Sequence, residues 1–396
     1  MHFATLDLGT AHTTLLQVQL ENGVMQYRGH VTVPSQGMKK GNVVAPQAAA
    51  AVMQSAAAEL ERQTGVAIER VFLSLTGAQV KGIGSQAGIS LTSRSREVTR
   101  EDARRVLDLA RSISLPDDRQ ILHVIPQEFV LDRQSGILEP VGMLASRLEA
   151  RIYAVTVAAG LKDNLVLAAN HAGLEVHELI FAPLALAEAS LSAEERHAGV
   201  AVVDLGAGTT GIAVYSNGSL AHASVIPVGG DHMTNDIAIK LSTTLPEAER
   251  IKCDFGAATL AYAGDNTSVE VPAPADRPPR LVPHRLLCEC IEFRAQELIR
   301  LIQAELSRGG PLGAGVYISG GASRLQGFVD LLQASIGIVT RPLAAILIEG
   351  MPDIFAEPEY AFSVGACYYA HRLLARQPVE ATIWEKLRSK WAALGN

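Results

Sequence analysis

GVAVVDLGAGTTGIAVYSNG, residues 199–218, is the stretch that decides the fold of this chain. An apolar β-branched run leads to Asp204, a Gly-rich turn follows, and a second apolar run ends in Asn-Gly. The pattern predicts a strand, a tight loop and a returning strand. Because glycines let backbone N–H groups approach a ligand, the loop suits a phosphate, and the Asp204 carboxylate suits a hydrated Mg²⁺. Taken alone, the same pattern also fits an ordinary hairpin.

The N-terminal stretch FATLDLGTAHTTLLQVQLENG, residues 3–23, repeats this pattern. Again an apolar run reaches Asp-Leu-Gly, hydroxyl residues follow, and a second apolar run ends at Asn-Gly. Two facing copies would place Asp7 and Asp204 on either side of one nucleotide. We therefore expect two halves of mixed sheet and helix around a central cleft.

Length and composition limit the possible classes of protein. A chain of 396 residues, 48% of them hydrophobic, is long enough for two domains or one deeply clefted pair. A net charge of −7 argues against a general nucleic-acid binder. The four cysteines lack metal-ligand spacing and suit buried thiols in a reducing cytosol. We expect no signal peptide and no membrane-spanning helix, since no apolar run reaches about 18 residues.

Apolar periodicity and turn residues predict further elements. In chain order they are three strands in 1–33, a loop at 33–44, a helix over 46–64, a strand over 70–76, an inserted subdomain over 81–158, a strand over 150–159, helices over 163–173, 246–256 and 284–306, and a strand, turn and helix over 315–333. Within the insertion we expect a helix capped by Thr99 and a strand that Pro126 breaks. Residues 264–283, with five prolines, are expected to form an exposed loop.

Two more stretches suit a nucleotide. Gly229-Gly230 opens a predicted helix, a position that favours phosphate, and the Gly320-Gly321 turn offers bare backbone to a flat base. Glu249 and Lys252 lie three residues apart, hence on one helix face, and the alternative for them is a surface ion pair.

The C-terminal residues 383–394 form a pattern of their own. Apolar residues recur at helical spacing beside two tryptophans, and basic residues lie off the apolar stripe. This predicts an amphipathic helix on an anionic membrane surface, and the alternative is a terminal helix docked on its own domain. The membrane-contacting residues are predicted to be Ile383, Trp384, Leu387, Trp391 and Leu394, with Lys386, Arg388 and Lys390 facing the head groups.

Together these motifs resemble the actin-like ATPase superfamily and, within it, the FtsA family of bacterial division proteins. LDLGTAHTT, VDLGAGTTG and ISGGASRLQG carry the superfamily resemblance. The FtsA resemblance rests on VPSQGMKKGNVV, EVTREDARRVLDLAR, ILHVIPQEFVLDRQSGILEPVGMLASRLEA and VIPVGGDHMTNDIA, and it extends over nearly the whole chain.

The resemblance implies an α/β, actin-like (ribonuclease H-like) fold of two lobes around a nucleotide cleft, with four subdomains that include an FtsA-type insertion. The implied boundaries are 1–80, 159–197 and 357–376 for subdomain IA, 81–158 for the inserted subdomain IC, 198–228 and 313–356 for IIA, 229–312 for IIB, and 377–396 for a linker and the membrane-targeting helix.

The resemblance also implies ATP with Mg²⁺, and no catalytic residue is assigned. The residues that it implies for the two phosphate loops are Asp7, Gly9, Thr10 and Thr13, and Asp204, Gly206, Gly208, Thr209 and Thr210. Those implied for the ribose and base are Gly230, Glu249 and Lys252, with Gly320, Gly321 and Ala322 under the adenine. Asp7 and Asp204 would hold Mg²⁺ through water.

In function, the resemblance implies a cell division protein that polymerises on the cytoplasmic face of the bacterial inner membrane and anchors the FtsZ ring at the septum. The FtsZ C-terminal peptide would bind the subdomain at 229–312, and later division proteins would bind the inserted subdomain. Two alternatives share the fold: a PilM-type platform of a pilus or secretion system, and a small-molecule kinase.

The chain departs from the family pattern near the phosphates. GAGTTG replaces the usual GGGTTD, which puts Ala207 and Gly211 in the loop and removes a carboxylate. Ala182 stands where polymerising relatives such as MreB carry a polar residue that orients the attacking water. We therefore expect ATP to be hydrolysed slowly or not at all.

Overall fold

Strands and helices alternate along the chain. The computed structural model describes residues 1–92, 95–264, 267–272 and 278–376. The strands are β1 (His2–Leu8), β2 (His12–Glu21), β3 (Val24–Pro34), β4 (Met38–Lys39), β5 (Asn42–Val43), β6 (Arg70–Leu75), β7 (Lys81–Ser90), β8 (Arg96–Glu97), β9 (Arg119–Leu131), β10 (Gln134–Ile137), β11 (Leu144–Ala145), β12 (Arg147–Ala158), β13 (Glu175–Phe181), β14 (Val200–Leu205), β15 (Thr210–Ser216), β16 (Ser219–Ile226), β17 (Ser268–Val271), β18 (Arg280–Pro283), β19 (Gly315–Ser319) and β20 (Thr340–Pro342).

The α-helices are α1 (Pro46–Thr64), α2 (Arg100–Arg111), α3 (Ala159–His171), α4 (Ala182–Ser190), α5 (Ala193–Ala198), α6 (Gly230–Lys240), α7 (Leu245–Phe255), α8 (His284–Leu306), α9 (Phe328–Ile336) and α10 (Ala361–Arg376). Short 3-10 turns lie at Leu260–Tyr262, Gly321–Arg324, Asp353–Ala356 and Pro358–Tyr360. No helix within the described ranges is both long enough and apolar enough to cross a membrane.

Two main sheets organise the two halves. The first has the strand order β13-β6-β1-β2-β3, and the second has the order β10-β9-β12-β7-β16-β15-β14-β19-β20. In each sheet the strand that ends in the predicted aspartate pairs antiparallel with the next strand and parallel with a later one, β1 with β6 and β14 with β19. The two halves therefore present the same strand arrangement.

The likeness of the two halves extends to the register of their hairpins. Each aspartate pairs with the residue seven positions later, Asp7 with Thr14 and Asp204 with Gly211. The following turns match too, since Asn22-Gly23 and Asn217-Gly218 both have φ of 51° and 82°. These left-handed pairs are what Asn-Gly favours in a two-residue hairpin.

The chain has two larger apolar cores, and β14 contributes to both, with Val200 and Val202 in the first and Ala201 and Val203 in the second. In the first, α1 begins with Pro46, ends at the left-handed Gly65 and buries Met53 and Leu60 against the five-stranded sheet. In the second, α8 buries its apolar face with the strands around β14, while a smaller core joins α2 to β12 in the inserted segment. The cleft lies between the two larger cores.

Helix α2 is capped as predicted. The Thr99 hydroxyl accepts a hydrogen bond from Asp102 N at 3.2 Å, and the Asp102 carboxylate accepts one from Thr99 N at 2.9 Å. Arg96 adds two charge-assisted bonds to the same carboxylate, at 2.7 and 2.8 Å. This reciprocal arrangement satisfies orphan donors of the first turn.

Pro126 does not break the strand in which it lies, contrary to the sequence-based expectation. Strand β9 runs through it, and the register against β12 shifts so that Gln127 has no counterpart between the Pro126 and Glu128 pairs. A bulge tolerates proline because the missing N–H is not needed by the ladder. Gln127 Nε2 donates to Leu220 O at 2.8 Å, so the bulge also ties β9 to β16.

The expected exposed loop over 264–283 contains a hairpin instead. Its described residues include β17 and β18, which pair antiparallel, and Val269, Val271 and Val282 join the core of the second half. The five prolines outweighed this short apolar alternation in the sequence-based interpretation.

A short stretch of strand pairing also joins the inserted segment to the second half. Strands β7 and β16 pair only through Lys81 and Ser224, within the described residues. Tyr153 reinforces this junction, because its hydroxyl accepts a hydrogen bond from Ala223 N at 3.0 Å while its ring occupies the space over Gly82.

Candidate functional site

The loops that follow Asp7 and Asp204 in the two hairpins, here called the Asp-Gly loops, line one cavity of about 1080 Å³. The predicted residues in its walls are Asp7, Gly9, Thr10, Asp204, Gly206, Gly208, Thr209, Gly230, Glu249, Lys252, Gly320, Gly321 and Ala322. The cavity is therefore built by both halves, as two facing copies of the hairpin require.

The two loops touch each other at the bottom of the cleft. A Cβ on Gly208 would lie 2.5 Å from Thr10 Oγ1 and 2.9 Å from Lys40 Cα. Thr10 Oγ1 accepts a hydrogen bond from Gly41 N at 3.3 Å, and Thr209 Oγ1 donates to Thr76 O at 3.3 Å. Only glycine at position 208 permits this approach.

Both loops share one turn geometry. Gly9 N donates to His12 O, and Gly206 N donates to Thr209 O, each at 3.0 Å. Within the described part of the chain, the intervening N–H groups of two residues per loop donate to no protein acceptor; they belong to Thr10, Ala11, Ala207 and Gly208. Free amides beside a glycine are what a phosphate needs.

Asp7 and Asp204 face the cavity from the ends of β1 and β14. Burial raises the pKa of Asp7 to about 6, although a hydrogen bond with Ser74 acts in the opposite direction and lowers it. Burial, and then the charge of Asp7, raise the pKa of Asp204 to about 7. The two carboxyl groups are thus close enough to repel each other, and a cation between them would relieve that repulsion.

This pair fits a hydrated Mg²⁺ better than a cage of protein ligands. Among the described residues, no group of three or more His, Cys, Asp or Glu could hold a metal ion. Mg²⁺ in nucleotide sites typically takes one or two carboxylates, with water and phosphate oxygens as its other ligands.

Lys252 and Glu249 form an ion pair in which Lys252 is buried and Glu249 is half exposed, so the lysine end of the pair is more enclosed than in the surface ion pair that the sequence left open. Lys252 Nζ donates to Glu249 Oε2 at 2.7 Å, to Thr234 Oγ1 at 2.8 Å and to Gly230 O at 3.3 Å. Thr234 also donates to Glu249. The start of α6 is fixed to the second loop through the bond from Gly230 N to Gly206 O at 3.0 Å.

The Gly320-Gly321 turn closes the second half's wall. Gly320 has φ of 86°, and a Cβ there would lie 2.3 Å from Leu205 O and 2.9 Å from Asp204 Oδ1. A Cβ on Gly230 would lie 3.0 Å from the Ala322 methyl group. The turn therefore runs between the Asp204 loop and the start of α6, with bare backbone towards the cavity.

Two predicted site residues, Thr13 and Thr210, lie buried outside the cavity wall. The Thr13 hydroxyl is 2.7 Å from Ser35 Oγ, and Thr210 Oγ1 donates to Val228 O at 2.7 Å. The structure thus gives these hydroxyls protein partners that hold the hairpins.

Several lining residues were not anticipated from the sequence, among them His12, Thr76, Arg324, Glu359 and Tyr360. Thr76 had a usable signal, since it follows β6, which is parallel to β1, and parallel strands end at one edge of a sheet. His12 and Arg324 had one as well, since they lie within the first loop motif and the ISGGASRLQG motif, whereas Glu359 and Tyr360 lie outside every stretch that the sequence indicated.

Ala182 and Gly211, the two departures from the family pattern, meet at one place. Ala182 lines the cavity at the start of α4, and a Cβ on Gly211 would lie 2.8 Å from Cγ of the next residue, Pro183. Any side chain at position 211 would have to displace Pro183.

The predicted membrane residues, 383–394, lie outside the described residues.

Solved structures similar to this chain show its class. The PilM–PilN type IV pilus biogenesis complex matches with a TM-score of 0.64 and 18% identity, over 93% of this chain and 98% of that one. MreB5 of Spiroplasma citri bound to ADP matches with a TM-score of 0.55 and 12% identity, over 94% and 97%. The fold and the paired loops define an actin-like protein.

Sequence comparison identifies the family within that class. A family model described as "Cell division protein FtsA" matches residues 201–365, and one described as "SHS2 domain inserted in FTSA" matches residues 77–156. Cell division protein FtsA of Pseudomonas aeruginosa is 36% identical over 368 residues, covering 92% of this chain and 88% of that protein. FtsA of Escherichia coli K12 is 37% identical over 376 residues, covering 92% and 89%.

The chain therefore belongs to the FtsA family of cell division proteins. The predicted actin-like fold with an FtsA-type insertion is confirmed. The subdomain boundaries and the individual ligand-contacting residues stay predictions.

Proposed function

We propose that this chain is a division scaffold that binds ATP with Mg²⁺ in its cleft, assembles into filaments and links FtsZ to the cytoplasmic membrane. The observation that carries the nucleotide site is the meeting of two Asp-Gly loops, each with free amides, across one cavity. In this proposal the amides of both loops bind phosphates, and Asp7 and Asp204 hold Mg²⁺ through water.

The remaining walls orient the nucleoside. Glu249, Lys252 and Gly230 border the ribose, and the Gly320–Ala322 backbone underlies the adenine. Lining carboxylates outnumber lining lysines and arginines: Asp7, Asp204, Glu249, Asp254 and Glu359 against Lys252 and Arg324. A triphosphate without a divalent cation would therefore meet a negative surface, so binding is expected to depend strongly on Mg²⁺.

Equilibrium binding of ATP to the full chain, with Mg²⁺ and with excess EDTA, tests the site. We expect saturable 1:1 binding that EDTA weakens at least tenfold. The absence of saturable binding in Mg²⁺ would overturn the nucleotide site.

Hydrolysis is proposed to be slow, because the cavity has Ala182 where a water-orienting side chain would lie. Losing such a group typically costs on the order of 10²–10⁴ in rate. Steady-state phosphate release is expected at background level, and robust turnover by the purified chain would contradict this.

FtsZ is proposed to bind, through its C-terminal peptide, within residues 229–312. Helices α6 and α8 pack there, joined by Arg294 and Asp236 at 2.7 Å, and they expose Ile239 and Phe293, 70% and 77% accessible. Large exposed apolar side chains on one subdomain are typical of a peptide-binding surface.

Peptide binding by fluorescence anisotropy tests this surface. Phe293→Ala is expected to weaken binding several-fold, whereas Leu144→Ala, an exposed leucine in the inserted segment, should not. Equal affinities for wild type and Phe293→Ala would exclude Phe293 from the interface.

Residues 383–394 are proposed to attach the chain to an anionic membrane from the cytoplasmic side, at the division septum. One short amphipathic helix binds weakly, so filament assembly would strengthen attachment through avidity. Co-sedimentation with anionic liposomes should be lost on deletion of 381–396 and reduced with neutral liposomes. If the deletion variant still sediments with the liposomes, the helix is docked on its own domain instead.

The two alternatives give different results in these assays. A PilM-type platform would not bind the FtsZ peptide, although it could still bind liposomes or other partners. A small-molecule kinase would show no tail-dependent liposome binding and would transfer phosphate to a substrate.

The inserted subdomain is proposed to bind later division proteins.

A further inference from the structure

Arg324 lines the cavity just beyond the Gly320–Ala322 turn, at the end of the 3-10 turn Gly321–Arg324. Among the described lining residues, Lys252 and Arg324 are the only lysine or arginine. Lys252 is buried and already donates to Glu249, Thr234 and Gly230. Among the described residues of this wall, Arg324 is therefore the cation whose donors are not all taken up by buried protein partners.

The guanidinium of Arg324 is held in place from a second segment. Arg324 Nη1 lies 3.0 Å from Glu359 Oε2 and 4.0 Å from a Glu357 oxygen. This segment is itself fixed to the turn, because Pro358 O accepts hydrogen bonds from Gly320 N at 3.1 Å and from Ser319 Oγ at 2.9 Å. The pair thus has a rigid support on both sides.

Glu359 borders the bare backbone on which the base is proposed to lie. The atom nearest to a Cβ built on Gly321 is Glu359 Cβ, at 3.9 Å. Arg324 therefore has an anchor beside that backbone, on a turn whose opposite end, Gly320, abuts Asp204. Arg324 thus lies at the end of the turn opposite to the one that abuts Asp204.

We propose that the guanidinium of Arg324 faces the nucleoside end of the site, that it contacts the adenine ring through its planar face, and that Glu359 is the positioning residue that holds it there. This inference rests on the proposed nucleotide site. A planar, always charged guanidinium stacks on an aromatic ring in a way that a lysine ammonium does not. The alternative is that Arg324 and Glu359 form a half-exposed ion pair that contributes little to stability and nothing to binding.

The test compares a ligand that carries a base with one that lacks it. Binding of ATP and of inorganic triphosphate, both with Mg²⁺, is measured on the full chain for wild type, Arg324→Gln, Arg324→Lys and Arg250→Gln. Arg250 is the matched control, since it is another half-exposed, ion-paired arginine of the same half that does not line the cavity.

We expect both Arg324 variants to bind ATP about three- to tenfold more weakly and triphosphate as well as wild type does. Arg250→Gln should match wild type for both ligands. Arg324→Lys keeps the charge and can still pair with Glu359, so a loss in that variant reports the guanidinium plane. Unfolding curves of each variant, recorded alongside, show that the fold is intact.

Glu359→Gln keeps the arginine at position 324 but removes the carboxylate with which it forms an ion pair. We expect ATP affinity to fall by about two- to threefold, with triphosphate affinity unchanged. Unchanged ATP affinity in Glu359→Gln would remove the positioning role of Glu359.

Three results overturn the proposal for Arg324. In the first, both variants bind ATP like wild type. In the second, Arg324→Lys binds ATP normally while Arg324→Gln does not, which would mean that Arg324 supports binding through its positive charge and not through a planar guanidinium. In the third, ATP and triphosphate weaken equally, which places the contact at the phosphates. If wild type binds neither ligand, the proposed nucleotide site itself fails and this inference fails with it.

Discussion

At the residue scale, Asp7 and Asp204 sit where an ionised carboxylate is poorly solvated. Burial raises the pKa of both, to about 6 and about 7, and Asp7 adds repulsion to Asp204. In the unfolded chain an aspartate ionises near pH 4. Without a cation, the folded state therefore holds protons that the unfolded state has lost, and this pair opposes folding as the pH rises from about 4 to about 7.

Asp204→Asn removes that cost together with the proposed metal contact. At pH 8 without ligand, we expect the variant to be more stable than wild type by about 1–3 kcal/mol, with a difference that vanishes towards pH 4. At the same pH its Mg²⁺-dependent ATP binding should be lost. Urea unfolding across this pH range and equilibrium binding at pH 8 measure the two effects.

The matched control is Asp254→Asn, since Asp254 also lines the cavity but is half exposed and paired with Arg250 at 3.2 Å. It should change neither stability nor its pH dependence by more than about 0.5 kcal/mol. A destabilised Asp204→Asn at pH 8 would mean that the buried carboxylate pair does not oppose folding.

The sequence allowed Asp7 and Asp204 to be paired because each ends an apolar run in a repeated pattern. It did not reveal which neighbouring hydroxyls face the cleft. In a strand successive side chains point to opposite faces, so Thr14 lines the cavity while Thr13 contacts Ser35. Assigning the face needed the register, which the sequence alone does not fix.

At the scale of elements, the two hairpins function as a pair because their loops touch. Position 208 has no room for a side chain beside Thr10 and Lys40. Gly208→Ala is expected to separate the loops, to destabilise the chain by about 1–3 kcal/mol and to weaken ATP binding at least tenfold. Urea unfolding and ATP titration check this.

Gly84→Ala provides the same substitution without the clash, because no atom of the described residues lies within 4 Å of a Cβ there and its φ is not positive. We expect no loss of stability and wild-type ATP binding. If Gly208→Ala behaved like Gly84→Ala, close loop contact would not be needed for the site.

Helix α2 depends on its N-terminal cap within the inserted segment. The Arg96 guanidinium, together with Thr99, holds the pKa of Asp102 well below its usual range. Because the folded-state pKa is lowered, the carboxylate stabilises the fold above about pH 4, and this stabilisation is lost as the pH falls further.

Asp102→Asn should therefore destabilise the inserted segment at pH 7 by about 1–3 kcal/mol, and the difference should shrink below pH 4. Asp108→Asn, on the same helix, is the control. Asp108 is exposed, and its distance of 3.4 Å from Arg111 is longer than the distances between Asp102 and Arg96. Hydrogen exchange of α2 amides measures the local effect. Equal exchange in the two variants would show that the cap contributes no more than a surface pair.

Element boundaries followed the sequence where the signals were local. Helix α1 spans 46–64 and α8 spans 284–306, as their Pro and apolar periodicity predicted. The predictions failed at Pro126, where a bulge in β9 itself, formed against β12, lets the strand continue, and at 264–283, where burial of Val269 and Val271 decides the structure. Both outcomes depend on contacts with other elements, which local propensity does not contain.

At the scale of the whole molecule, His123 connects three parts of the fold. It lies buried in β9, where its Nε2 accepts a hydrogen bond from Phe181 N at 3.0 Å and its Nδ1 lies 3.2 Å from the Tyr369 hydroxyl in α10. Phe181 directly precedes Ala182 of the cavity wall. No sequence pattern indicated this link, because His123 and Tyr369 are 246 residues apart.

The surroundings keep His123 neutral. Burial, and then the charge of Arg372, lower its pKa to about 3. An unfolded histidine takes up a proton near pH 6.5, so the unfolded state gains stability relative to the folded state as the pH falls from about 6.5 to about 3. This dependence has the opposite sign to that of Asp204, and the two partly cancel in the ligand-free wild type.

His123→Leu removes the acceptor for Phe181 N–H and the titrating group at once. We expect a loss of about 1–3 kcal/mol above pH 6.5, from the unsatisfied Phe181 amide and the lost Tyr369 contact, and a smaller loss at pH 4, where wild type also bears the cost of its neutral histidine. Urea unfolding at pH 4, 5.5 and 7.5 measures the trend, with His171→Gln on the exposed end of α3 as a control that should follow wild type. A deficit that stayed constant or grew towards pH 4 would show that His123 is not held neutral at the junction of β9, β13 and α10.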